Sequence, residues 1–227
     1  TLCVGPPMTS AAHRDALLLP TEVGHMEVLM DRPNAERPIG IAMVAHPQPL
    51  LGGSAQHKVP AFLARALRDA GWVVARPNFR GVGRSAGVHD HGEGEALDLL
   101  LLARHLRQEH PGLPLALVGF SFGAFVQSWV AKALADEGCP ADDVCLTGMP
   151  SGEIIGARHY APATGLGDAL VVHGECDERV PLGSVMDWAR SQSQPVVVIP
   201  GADHFFSGKL HVLRQVVLDR LAVSCRR

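Results

Sequence analysis

The chain has no apolar run that approaches the ~18 residues of a membrane-spanning helix; its richest stretch, ALDLLLLARHL, is interrupted by Asp98 and Arg104. The first residues, TLCVGPPMTS, lack a basic region followed by an apolar stretch, so no signal peptide is expected. Charge of one sign is not in excess either. Twenty Lys and Arg face 23 Asp and Glu, a net charge of −3, which argues against nucleic acid or an anionic membrane as partner. The five cysteines (Cys3, Cys139, Cys145, Cys176, Cys225) are odd in number and lack paired metal-type spacing, which fits a reduced, cytoplasmic protein. No internal repeat, low-complexity tract or interdomain linker is present. What remains is 227 residues, 47% hydrophobic and 19% charged, enough to bury a single large core. Residues 1–12 are expected to form a flexible N-terminal segment and 13–227 one domain.

Strand-length apolar segments recur at Ile39–Ala45, Trp72–Ala75, Leu115–Val118, Val144–Thr147, Ala169–Val172 and Val196–Ile199. They lack clean alternation, as strands buried on both faces of a parallel sheet do. Leu17–Leu19 and His25–Met30 are expected to add a leading antiparallel pair. Helical spacing appears between them. Val59, Phe62, Ala66, Leu67 and Ala70 repeat at helical intervals before Gly71, and Glu95–Gln108 reads as a helix ending before Pro111. Phe122 to Leu134 is apolar around much of its circumference, and Phe206, Leu210, Leu213, Val217 and Leu221 mark one face of a last helix. Alternating strands and helices predict an α/β fold of three layers, a mostly parallel sheet with helices on both sides. Pro150–Asp168 carries no strong period and reads as loop with a short helix.

Within ALVGFSFGAF, Ser121 is the one polar side chain between Leu115 and Gln127, and it stands between Gly119 and Gly123. The pattern G-x-S-x-G arises by chance about 0.12 times in a chain of this composition, so its setting must carry the reading. Here a predicted strand precedes it and a predicted helix follows, as a strained strand-to-helix turn that exposes a nucleophilic serine requires. The bland reading is a tight turn with an incidental serine. A serine hydroxyl is a poor nucleophile without a base, and the base needs an orienting acid. HGECDERVP follows the strand ALVV and offers Asp177; GADHFFSGKL follows VVVIP and offers His204. Loops beyond the carboxyl ends of parallel strands converge on one edge, so the three residues can meet. Glu175 and Glu178 compete with Asp177 for the acid's role, whereas Asp203 is adjacent to His204 and poorly placed to reach back to it. His173 reads as packing at a strand end. Acyl transfer also needs donors for a developing oxyanion. The Phe122 N–H follows the nucleophile directly. In HPQPLLGGS, Pro47 and Pro49 have no N–H to give, which leaves Gln48, with Leu50 behind it. His46 and the two prolines also serve to stiffen that turn.

The segments HPQPLLGGS, RPNFRGVGRSAG, GFSFGA, HGECDERVP and GADHFF together resemble the α/β-hydrolase superfamily, across nearly the whole chain. They are most similar to small bacterial hydrolases of the dienelactone hydrolase and serine aminopeptidase-like groups. The resemblance implies an eight-stranded sheet with its second strand antiparallel, a Ser–His–Asp triad and no cofactor. It also implies a helical cap in many members, inserted after the sixth strand. Here only Pro150–Asp168 stands at that point, so no substantial cap is expected.

Other features rank lower. RGVGRSAG is not a phosphate-binding G-x-G-x-x-G and reads as a loop near the site. His89 and His91 lack a third placed metal ligand and read as solvated loop residues. Cys176 reads as packing, and Trp72, Trp129 and Trp188 as core or partly buried packing. The expectation is therefore a serine hydrolase of small carboxylic esters or related acyl compounds. A peptidase or acyltransferase would use the same triad, and a non-enzymatic ligand-binding protein could share the scaffold.

Overall fold

A computed structural model describes residues 14–154 and 158–224; the expected N-terminal segment, residues 1–12, lies outside the described residues. The strands are β1 (Arg14–Thr21), β2 (Gly24–Asp31), β3 (Gly40–Ala45), β4 (Trp72–Pro77), β5 (Leu115–Phe120), β6 (Asp143–Thr147), β7 (Gly152–Glu153), β8 (His159–Tyr160), β9 (Leu170–Gly174) and β10 (Val196–Ile199). The helices are α1 (Lys58–Asp69), α2 (Glu93–Glu109), α3 (Phe122–Asp136), α4 (Leu182–Arg190) and α5 (Leu210–Ser224). Eight strands form one sheet in the order β1-β2-β4-β3-β5-β6-β9-β10. β2 runs antiparallel to both its neighbours, and the strands from β4 to β10 pair in parallel. This is the eight-stranded, mostly parallel sheet with an antiparallel second strand that the resemblance implied.

Strand residues alternate between two cores. Ile41, Met43, Leu115, Leu117, Leu146 and Val171 pack with α2, α3 and α4 on one face. Ala42, Val44, Ala116, Val118, Cys145 and Val172 pack with α1 and α5 on the other. Both sets are buried, so the run is apolar without visible alternation, as a central parallel strand requires. β10 departs from this: it is the sheet's edge, and Val197 and Val198 are partly exposed there.

Three segments differ from the sequence reading. Pro150–Asp168 contains the short antiparallel pair β7–β8 and, among the described residues, no helix; Tyr160 is buried and anchors it. α4 was not marked by apolar periodicity, because its nine residues bury only Val185, Trp188 and Ala189. The last helix starts at Leu210, and Phe206 belongs to the turn before it, at φ +52°. No helix among the described residues is long and apolar enough to cross a membrane.

The loops at the carboxyl edge of the sheet are tied down by buried polar groups. Arg80, after β4, donates from Nε and Nη2 to both carboxylate oxygens of Asp98 on α2, at 2.8 and 3.0 Å. Glu27 on β2 accepts from Asn78 Nδ2 at 2.8 Å and from the Arg84 N–H at 3.0 Å. Asn78 Oδ1 accepts the Ala55 N–H in turn. Removing one partner of such a pair leaves the other charge buried and uncompensated. Arg80→Leu is therefore expected to lower the unfolding free energy by about 3–5 kcal/mol in urea titrations, and a loss under about 1 kcal/mol would contradict this role for the pair.

Candidate active site

Ser121 stands between the end of β5 and the start of α3 with φ +55° and ψ −124°, a conformation L-residues rarely adopt. Its neighbours explain why the turn can form. A Cβ on Gly119 would lie 2.4 Å from Ala124 Cα, and one on Gly123 would lie 2.4 Å from the Ala45 carbonyl oxygen. Both positions are closed to any side chain. The turn is then pinned: the Ser121 N–H donates to Thr147 O at 2.8 Å, and Thr147 Oγ1 donates to Gly119 O at 2.8 Å.

The structure brings Ser121, His204 and Asp177 together. Ser121 Oγ lies 3.0 Å from His204 Nε2, and His204 Nδ1 lies 2.7 Å from Asp177 Oδ2. A neutral imidazole carrying its proton on Nδ1 satisfies both contacts, with Nε2 accepting from the hydroxyl. The other oxygen of Asp177 accepts the N–H groups of Arg179 and Val180 at 2.9 and 2.8 Å, so the carboxylate is fixed from both sides. The two loops are also joined to each other. Glu175 N–H donates to Ile199 O, Cys176 N–H to Ala202 O, and Gly201 N–H to the Glu175 carboxylate. That bond occupies Glu175 in the loop, while Glu178 is exposed at the rim of the cavity. Asp203 accepts the Ser207 N–H, which holds its carboxyl below the usual range. His173 is fully buried; its Nε2–H donates to Val180 O at 2.9 Å, and burial pushes its pKa down.

The loop after β3 approaches the same point. His46 is fully buried, donates from Nδ1 to Pro47 O at 2.7 Å, and accepts the Phe79 N–H on Nε2 at 3.0 Å. Its ring thus links the loops after β3 and β4. Gly53 folds the far side of the turn back, its N–H donating to Gln48 O at 3.0 Å. The N–H groups of Gln48 and Phe122 make no hydrogen bond within the described residues. Both residues, with Ser121 and His204, line a cavity of about 590 Å³. Leu50, Leu51, Ile154 and Phe205 supply apolar wall, and the charged side chains there are Arg158, Arg179 and Glu178.

Two minor readings change. The His89 side chain is only 7% exposed, not solvated; it packs against Phe122 with ring centroids 5.1 Å apart. Glu95, fully buried, draws that loop inward by accepting the N–H groups of Asp90 and Gly92. His91 is exposed as expected, and no cluster of three or more His, Cys, Asp or Glu forms among the described residues. Cys176 is exposed rather than packed, since its loop contacts run through the backbone. Trp72 and Trp188 are buried and Trp129 half-buried, as packing residues are.

A hydroxyl bonded to an imidazole that a buried carboxylate orients, on a strained turn at the carboxyl edge of a parallel sheet, defines the serine-hydrolase class of site. Comparison with known proteins agrees. Residues 52–144 match the family model described as serine aminopeptidase, S33. An uncharacterized protein of Rickettsia prowazekii is 33% identical over 191 residues, covering 80% of this chain and 78% of that one. An α/β serine hydrolase without lid from Xanthomonas campestris is 36% identical, with a TM-score of 0.75 over 92% of this chain and 94% of its own. An α/β serine hydrolase homologue from Coxiella burnetii is 32% identical, with a TM-score of 0.78 over 94% of this chain and all of its own. The chain belongs to the α/β serine hydrolases.

Burial takes the pKa of His46 from its ordinary 6.5 to about 3. The unfolded chain therefore binds more protons between those limits, and the contribution of His46 to stability is complete above pH 6.5 and lost as pH falls towards 3. Urea midpoints of the wild type should decline over that range, and His46→Gln should show a shallower decline. Parallel curves for the two proteins would contradict the assignment.

Proposed function

We propose that the protein hydrolyses small carboxylic esters through an acyl-enzyme, with Ser121 as nucleophile, His204 as base and Asp177 as orienting acid. The observation that carries this reading is the continuous hydrogen-bonded line from Ser121 Oγ through the His204 ring to Asp177. As Ser121 Oγ attacks the ester carbonyl, its proton passes to His204 Nε2. Asp177 stabilises the imidazolium through Nδ1–H, and the carbonyl oxygen gains negative charge. The N–H groups of Phe122 and Gln48 receive that charge; the lack of competing acceptors for either supports this role. His204 then protonates the leaving alcohol, and the acyl-enzyme is released by water activated on the same imidazole.

The match to the serine aminopeptidase model favours a second reading, cleavage of an amide next to a free ammonium. The charges around the cavity argue against it. A substrate ammonium would find one carboxylate, Glu178, against the guanidinium groups of Arg158 and Arg179. The ester reading needs no such anchor.

Ser121→Ala is expected to lower kcat/KM for p-nitrophenyl acetate by at least about a thousandfold while keeping a near-native thermal midpoint. Retained turnover would overturn the mechanism. The second oxyanion donor has its own test. Gln48 sits at φ −51°, within reach of the proline ring, so Gln48→Pro removes the N–H without demanding a new φ at residue 48. It should reduce kcat by about 100-fold or more, whereas Gln48→Ala, which keeps the N–H, should not. Equal effects of the two substitutions would contradict the donor role.

A further inference from the structure

The cavity lining includes a cation, Arg158, that forms no ion pair among the described residues. Arg158, in the connection between β7 and β8, lines the cavity together with Ser121 and His204. Its guanidinium lies over the Tyr160 ring, 4.5 Å from the centroid, and 5.3 Å from that of Phe125. Nη2 donates to the His91 carbonyl, and Nε is buried without a partner. No described residue forms an ion pair with it. The nearby acids are engaged elsewhere: Glu153 pairs with His159, and Glu95 with the loop backbone and His89.

The surroundings add one further donor. His89, close enough to Arg158 for their charges to interact, is turned to Glu95, with Nδ1 3.2 Å from Oε1. The Tyr160 hydroxyl accepts from Gln48 Nε2 at 3.4 Å, which leaves its own proton to donate. The same contact places this cluster beside the loop whose N–H is the proposed carbonyl-oxygen donor. A guanidinium packed over the Tyr160 ring and beside Phe125 is restrained before a planar oxyanion arrives, so it loses less entropy on binding one.

We propose that Arg158 and the Tyr160 hydroxyl form a carboxylate-recognition subsite, so that the preferred substrates are monoesters of small dicarboxylic acids. This rests on the esterase reading above and specifies its substrate class. The free carboxylate would pair with Arg158 while the ester carbonyl lies between Ser121 and the Gln48 N–H.

The test compares kcat/KM for monomethyl glutarate and dimethyl glutarate, which differ in one methyl group and one charge. The wild type should favour the monoester by about tenfold or more, the worth of one charge-assisted hydrogen bond. Arg158→Lys should retain a preference for the monoester, and Arg158→Glu should reverse it. Equal turnover of the two esters by the wild type, or an unchanged ratio in Arg158→Glu, would overturn the subsite. A binding arm separates this from failure of the esterase reading. Calorimetry on Ser121→Ala should show monomethyl glutarate bound more tightly than dimethyl glutarate even where neither is hydrolysed by the wild type. Equal binding there would also overturn the subsite.

Discussion

The site depends on one steric constraint, the close approach of the β5–α3 turn to the end of β3. No side chain fits at Gly119 or Gly123, and the second contact is with the carbonyls of Ala45 and His46. That contact does two things at once. It lets Ser121 hold the left-handed backbone that lifts its hydroxyl out of the sheet, and it sets the loop containing Gln48 directly beside it. The strain at Ser121 is offset by the packing of α3, whose first turns are almost wholly buried.

The remaining loops are held by polar groups that would be costly to bury unpaired and are therefore strongly directional when paired. His46 joins the loops after β3 and β4, Arg80 and Asp98 join the second of these to α2, and Asp177 holds the loop after β9 through one oxygen while the other reaches His204 in the loop after β10. Each loop at the carboxyl edge is thus fixed to a neighbour, not merely to its own strand. A candidate site assembled from residues as far apart as Gln48 and His204 needs such cross-links to keep its geometry.

Much of this was legible in the sequence, for physical reasons that differ from element to element. The central strands are apolar on both faces and bounded by turn residues, so their places along the chain and their parallel type follow from pattern alone. Ser121, Asp177 and His204 each sit just past a strand, which fixes the edge they occupy before any coordinate is known. Pattern fails where structure is set by tertiary contact. α4 buries too few residues to show a period, and β7–β8 has only two residues in each strand, too few for an alternation, with Tyr160 buried as its anchor. His89 looks like a loop residue until Glu95, six positions on, is seen drawing it beneath the surface. Arg158 had no signal at all: its significance comes from the ion pair it lacks among the described residues and from the Tyr160 and Phe125 rings it packs against.

The central claim is that His204 makes Ser121 a nucleophile. Treatment of the folded protein with a fluorophosphonate, followed by intact mass measurement and peptide mapping, tests it most directly. The account predicts one adduct per chain, on Ser121, formed rapidly in the wild type and very slowly in His204→Ala. Absence of an adduct on Ser121, or labelling that is as fast without the imidazole, would contradict it.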